Sequence, residues 1–177
     1  GLYEALRAIA PVVERSAGRL RVAIAGDGPD DARCRAVAPQ GTWFAGALRG
    51  AELSAFYASL DVLVFPSTTE TFGNVTLEAM ASGLPVVAAG ATGSASLVAD
   101  GVTGRLVAPS GAKGSDAAAF ADALAPYCTD PALRTAHGAA GETRACDYSW
   151  EAINQVVADT YVRLVEERRA AQAARAA

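Results

Sequence analysis

The sequence is short of the residues that hold metals, staple chains and grip polyanions. It has one histidine, His137, and three cysteines, Cys34, Cys128 and Cys146, with no pair at C-x-x-C spacing. That excludes a zinc cluster of the usual His/Cys kind and a disulfide-framed secreted scaffold, and the thiols read as reduced, in a cytoplasmic protein. Charged residues are only 19 % of the chain, the formal net charge is -4, and no basic block appears before the C-terminus. Nucleic acid is therefore excluded as a partner class. The apolar runs are short and bounded by turn residues, which leaves no transmembrane segment. No D-x-D pair occurs, so an acidic clamp for a metal–diphosphate group is missing and no metal site is expected.

What is present is apolar substance. Of 177 residues, 51 % are hydrophobic, enough for one domain with a sizeable core. The chain opens directly on a helical pattern, Leu2, Leu6, Ile9, Val12 and Val13, without an initiator Met. It is expected to be a fragment of a longer protein.

Helix and strand patterns then alternate. Helices are expected over 2–16, 30–38, 52–59, 74–81, 94–99, 117–127, 131–145 and 150 to about 169. Strands are expected over 19–25, 42–45, 61–65, 85–89 and 104–107. Gly83 fits a helix C-terminal cap. The tail "ERRAAQAARAA", from 167 to 177, reads as a fraying helix or disordered. Continuous apolar strands alternating with helices imply an α/β domain, a Rossmann-like doubly wound parallel sheet with C-terminal helices. Ligands of such sheets bind beyond the carboxyl ends of the strands. The loops there are 26–29, 46–50, 67–74 and 90–94.

Weak signals are set aside first. Gly26-Asp27-Gly28 is a lone G-x-G, either a tight turn or a ligand contact. Gly111-Ala112-Lys113-Gly114 lacks the phosphate-loop spacing and reads as a surface loop. His137 reads as an exposed or capping histidine.

The stretch "FPSTTETFGNVTLEAMASGLPVV", from Phe65 to Val87, is more informative. A strand ends at Pro66, and a helix starts around Phe72, Gly73, Asn74 and Val75. The first amides of a helix lack internal partners and sit at the positive end of its dipole, which suits a diphosphate. Gly73 lets the ligand approach the backbone closely. Glu78 lies inside the helix, and its side chain leans back toward the start. Its carboxylate suits the paired hydroxyls of a ribose. Glu70, on the loop, suits hydroxyls of whatever the diphosphate carries. Two other readings stay open: solvated acids beside a helix start, and an acid/base pair for glycoside hydrolysis.

The same stretch resembles the E-x7-E motif of family-four, group-one glycosyltransferases, retaining enzymes of the GT-B fold. "VAIAGDGP", "FAGALRGAELSAFYASLDVLVFPS", "LVADGVTGRLVAP", "DPALR" and "YSWE" follow in family order. The resemblance covers the C-terminal, donor-binding half of such an enzyme. It implies a nucleotide-sugar donor, GDP- or UDP-linked, and no cofactor or metal. It implies Glu70 near the reacting centre, Glu78 on the ribose, and backbone of Phe72, Gly73, Asn74 and Val75 on diphosphate and sugar. Ala47 and Leu48 would line the base, and Gly26 and Gly28 would shape the pocket wall. A glycan or lipid acceptor would bind through an N-terminal domain outside this sequence. The full-length enzyme would be cytoplasmic, peripheral to the membrane where its acceptor is a lipid. Spelling around "TETFGNVTLEAMASG" is most similar to mannosyl- and lipid-directed members. An Arg and a Lys usual after the domain's first strand, and that strand itself, expected in the middle of the sheet, lie outside the sequence. Ser96 stands where an acid is common. The alternatives are a nucleotide-sugar epimerase of the same fold and a non-catalytic nucleotide-binding module.

Overall fold

A computed structural model describes residues 1–108 and 117–176. Gly111-Ala112-Lys113-Gly114, read above as a surface loop, lies outside these residues. In chain order the elements are α1 (Leu2–Arg15), β1 (Ala23–Ala25), α2 (Asp31–Val37), β2 (Trp43–Gly46), α3 (Gly50–Ala58), β3 (Leu63–Phe65) and α4 (Asn74–Ala81). Then come β4 (Val86–Ala89), α5 (Thr92–Leu97), β5 (Gly104–Val107), α6 (Ala117–Thr129), α7 (Pro131–Ala145), a 3₁₀ turn at Cys146–Tyr148, and α8 (Trp150–Ala176).

All strand pairs are parallel, as the apolar strand patterns imply. β4 explains why. Its four residues, Val86 to Ala89, are fully buried, so it is covered on both faces. Val87 and Ala89 face a core with Leu6 and Ile9 of α1 and with Phe120, Leu124 and Tyr127 of α6. Val86 and Ala88 face the opposite core, with Ala79 and Met80 of α4, Leu97 of α5 and Ala145 of α7. Alternation along one strand thus sorts the helices into two layers.

The strands form two sheets rather than one, β1–β2 and β3–β4–β5. Among the described residues, the outer edges of β1 and β3 pair with no strand. Both strands line a cavity of about 1200 Å³, which α1 also borders through Leu6 and Ile9.

Three local expectations change. β1 is shorter than 19–25 because Ser16 captures its approach. The Ser16 hydroxyl oxygen accepts from the Leu20 amide at 3.0 Å, and the Ser16 carbonyl accepts from the Arg19 amide at 3.2 Å. The tail is helical to Ala176, not frayed. Its Ala, Arg, Glu and Gln residues are strong helix formers. His137 neither caps nor stands exposed: it is half-buried on α7 and shares a 2.8 Å hydrogen bond between Nδ1 and the Tyr127 hydroxyl. The Gly83 cap appears as expected. Gly83 has a φ of 72°, its N–H donates to the Met80 carbonyl, and the Leu84 N–H donates to Ala79.

Candidate functional site

The site is built where β3 gives way to α4. β3 ends at buried Pro66, and the loop that follows carries Glu70 and Phe72 to Gly73, the residue capping α4. Gly73 has φ 100° and ψ 44°, a left-handed conformation that glycine adopts without a Cβ penalty. This turn swings the chain into the helix. The first intrahelical bond runs from the Leu77 N–H to the Gly73 carbonyl at 2.9 Å. The amides of Asn74, Val75 and Thr76 precede it, so they lie at the positive end of the helix. The Gly73 N–H points toward Glu70 Oε1 at 3.4 Å.

A second layer fixes this loop from behind. The Gly93 N–H on α5 donates to the Glu70 carbonyl at 3.1 Å. The approach is so close that a Cβ on Gly93 would sit 2.8 Å from the Phe72 carbonyl carbon and 3.0 Å from Glu70 Cγ. Thr76 of α4 and Ser94 of α5, both fully buried, share a hydroxyl–hydroxyl bond of 3.0 Å. Buried hydroxyls are costly unless paired, so this bond locks the two helices together. α5 is anchored in turn by Arg144 of α7, whose Nε donates to the Leu97 carbonyl at 2.5 Å. A second guanidinium N–H reaches the Ser96 carbonyl at 3.0 Å. Those carbonyls end α5, where a cation is favoured. The Phe72 ring packs edge-on against Tyr148 at 6.1 Å.

Glu78 lies one turn inside α4, exposed, with Oε2 accepting from the Tyr57 hydroxyl at 3.0 Å. Tyr57 is on α3 and is only 6 % exposed. Burial, and then the hydrogen bond to the Glu78 carboxylate and its charge, push the Tyr57 phenol up from its ordinary value. Tyr57 therefore stays a neutral donor.

The cavity wall brings together Glu78 and Val75 of α4, Gly26 after β1, and Ala47 and Leu48 after β2. Gly26, Ala47 and Leu48 lie in the loops at the carboxyl ends of β1 and β2, and α4 is the helix that follows β3. The Gly26 N–H donates to the Gly46 carbonyl at 2.8 Å, tying the two loops. Glu70, Phe72, Gly73, Asn74 and Gly28 are not on that wall. Glu70, Phe72 and Gly73 form the loop leading into α4, Asn74 opens it, and Gly28 stands exposed beyond β1. Ser96 turns its hydroxyl back to donate to the Gly93 carbonyl at 2.8 Å. Sequence reasoning missed Tyr57, Gly93 and the Thr76–Ser94 pair. In the sequence, Leu53, Phe56 and Tyr57 lie on one apolar face of the helix expected over 52–59, which says nothing of the hydroxyl, although a buried phenol needs a partner. Among the described residues, no three His, Cys, Asp or Glu side chains gather as a metal would require.

The family model for glycosyl transferases group 1 matches residues 1–130. The chain belongs to that family. This group 1 transferase chain is 38 % identical over 118 residues to the D-inositol 3-phosphate glycosyltransferase of Streptomyces avermitilis, covering 67 % of this chain and 24 % of that protein. It is 49 % identical over 88 residues to the GDP-mannose-dependent alpha-mannosyltransferase of Mycolicibacterium smegmatis, covering 50 % of this chain and 23 % of that one. The chain thus spans about a quarter of the length of these relatives. Among solved structures it is similar to Anabaena HepE in complex with UDP-glucose, with a TM-score of 0.66, 27 % identity, and coverage of 80 % of this chain and 40 % of that one. The fold is the Rossmann-like α/β half of a GT-B glycosyltransferase.

Proposed function

We propose that this group 1 transferase chain is the donor-binding domain of a retaining glycosyltransferase that uses a nucleoside-diphosphate hexose. The observation that carries the reading is the start of α4: amides of Asn74, Val75 and Thr76 ahead of the first helical bond, and Glu78 on the cavity wall. Gly73 does not open the backbone to a ligand as expected from the sequence: it is buried, and the space a Cβ would take is filled by Leu97 and Gly93, so its part is to make the left-handed turn. In this reading the diphosphate lies on those amides, and the Glu78 carboxylate accepts from the ribose hydroxyls. Ala47 and Leu48 border the base, with Gly26 beside them. Glu70, hydrogen-bonded into the turn, faces the hexose.

The chemistry follows from charge. The bond from the acceptor hydroxyl oxygen to the anomeric carbon forms as the anomeric carbon's bond to the diphosphate breaks; negative charge accumulates on the leaving diphosphate, and the hydroxyl proton passes to it. A helix start aimed at that charge stabilises it without reorganising during the step. The donor site accordingly needs no divalent metal. The likeness to a GDP-mannose-dependent enzyme supports a GDP-linked mannose, and the likeness to a protein holding UDP-glucose supports the wider class of nucleotide hexoses. The acceptor, a glycan or lipid, is met by parts of the longer enzyme, in the cytoplasm or at its membrane face. No helix among the described residues is long and apolar enough to cross a membrane.

The test is calorimetric titration of the chain with GDP, UDP, GDP-mannose and UDP-glucose. Saturable binding of one nucleotide family, weakened tenfold or more by Glu78→Ala, is expected. Absence of binding by all four ligands refutes the reading.

A further inference from the structure

The Tyr57–Glu78 bond joins two helices that are 21 residues apart in sequence, and it has a consequence for the ligand. A glutamate exposed on a helix surface samples several rotamers. Immobilising one on binding costs side-chain conformational freedom. A partner that fixes the side chain before the ligand arrives removes that cost from binding. Tyr57 is suited to this. Its ring is packed in the core with Ala79, Met80 and Leu84, and lies edge-on to Phe56 at 6.4 Å. The phenol oxygen is therefore held in a definite place. It offers one proton, so it occupies one acceptor position of the carboxylate and leaves Oε1 and the rest of Oε2 open. An Arg or Lys in its place would neutralise the acid and compete with a ligand for both oxygens. Tyr57 and Glu78 both border the cavity.

We infer that Tyr57 is a positioning residue that holds the Glu78 carboxylate ready for two adjacent hydroxyls, and so sets the preference of this site for a ribose over a deoxyribose. The inference rests on the donor-binding reading above, and it adds the residue through which the preference arises. A purely structural role, in which Glu78 only satisfies a buried phenol, makes a different prediction. Removing the hydroxyl would then leave ligand preference untouched.

The experiment measures dissociation constants of GDP and UDP and of their 2′,3′-dideoxy forms for the wild-type chain, Tyr57→Phe, Glu78→Gln and the double variant, with thermal melts alongside. The wild type should prefer the ribose form by tenfold or more. Tyr57→Phe should weaken the ribose form by at least fivefold and leave the dideoxy form within twofold. In the Glu78→Gln background the same change should alter neither. Phenylalanine keeps the ring that packs in the core and removes only the hydroxyl, so Tyr57→Phe should melt close to the wild type. A variant that keeps the wild-type preference, or that weakens both ligand forms equally, overturns the role given to Tyr57 while donor binding stands. A wild type that binds both forms equally overturns the hydroxyl-binding assignment of Glu78 itself, and one that binds neither form overturns both.

Discussion

Replacing Gly73 by alanine strikes the site and the fold at one atom. The backbone there has φ 100°, and an added Cβ would lie 3.0 Å from Leu97 Cδ1 and 3.3 Å from the Gly93 carbonyl carbon. The left-handed conformation costs a residue with a Cβ about 1–2 kcal/mol. Crowding against α5 adds about 1–3 kcal/mol, because the leucine tip can yield but the Gly93 backbone is held by its own bonds. The sum is about 2–5 kcal/mol. Each kcal/mol lowers the melting temperature of a domain this size by roughly 2–4 °C. Gly101→Ala is the internal control. Its φ is 75°, but no atom stands within 4 Å of the position its Cβ would take. It carries the conformational cost alone, about 1–2 kcal/mol. Urea denaturation of both variants should therefore place Gly73→Ala about 1–3 kcal/mol below Gly101→Ala. Below its melting temperature, Gly73→Ala should also lose nucleoside-diphosphate affinity tenfold or more, and Gly101→Ala should not. Equal stability of the two variants would refute the packing argument, and unchanged affinity in Gly73→Ala would refute the placement of the diphosphate.

Other outcomes are expected on the same grounds. Glu78→Ala should weaken nucleoside-diphosphate binding by roughly 1.5–3 kcal/mol, the range for hydrogen bonds to a charged group; equal titration curves for wild type and variant would count against the ribose contact. Donor-nucleotide affinity should be the same with and without EDTA, and a loss above about tenfold, roughly 1.4 kcal/mol, would contradict a metal-free site. In the longer enzyme Glu70→Gln should lower turnover more than bare-nucleotide affinity, and Glu78→Gln the reverse; the same penalty from both on the bare nucleotide contradicts the division. Burial chiefly pushes the Tyr127 phenol from its ordinary value of 10.0 up to about 12. The raised value favours the neutral form in the folded chain, so this contribution is complete below pH 10 and disappears as pH rises toward about 12. Tyr127→Phe should flatten that part of the stability–pH curve, and an unchanged slope would exclude Tyr127 as its source.

The sequence made the layer order legible because β4 is apolar at every position and its neighbours alternate with helices. The turn into α4 was legible for a similar reason: Phe-Gly-Asn between two acids leaves few conformations, and the Gly83 cap closes the helix from the other end. What was hidden depends on partners distant in the chain. Gly93 looked like any loop glycine, yet its role comes from contact with Glu70 and Phe72. Thr76 and Ser94 are unremarkable as single polar residues, and only their pairing in the core gives them a function. Tyr57 lay within an apolar helix face whose pattern carries no information on where its hydroxyl goes. The early end of β1 was hidden too, because a serine competing for backbone amides leaves the apolar pattern of the strand intact.

Amide-resolved NMR titration of the chain with GDP and with UDP tests the central claim most directly, since it reports where a nucleoside diphosphate lands residue by residue. The largest shifts should fall on Gly73, Asn74, Val75 and Thr76, with further shifts at Glu78, Gly26, Ala47 and Leu48. Residues of α8 should not move. Saturating shifts centred on any other part of the chain, or none from either nucleotide, would contradict a donor site at the start of α4.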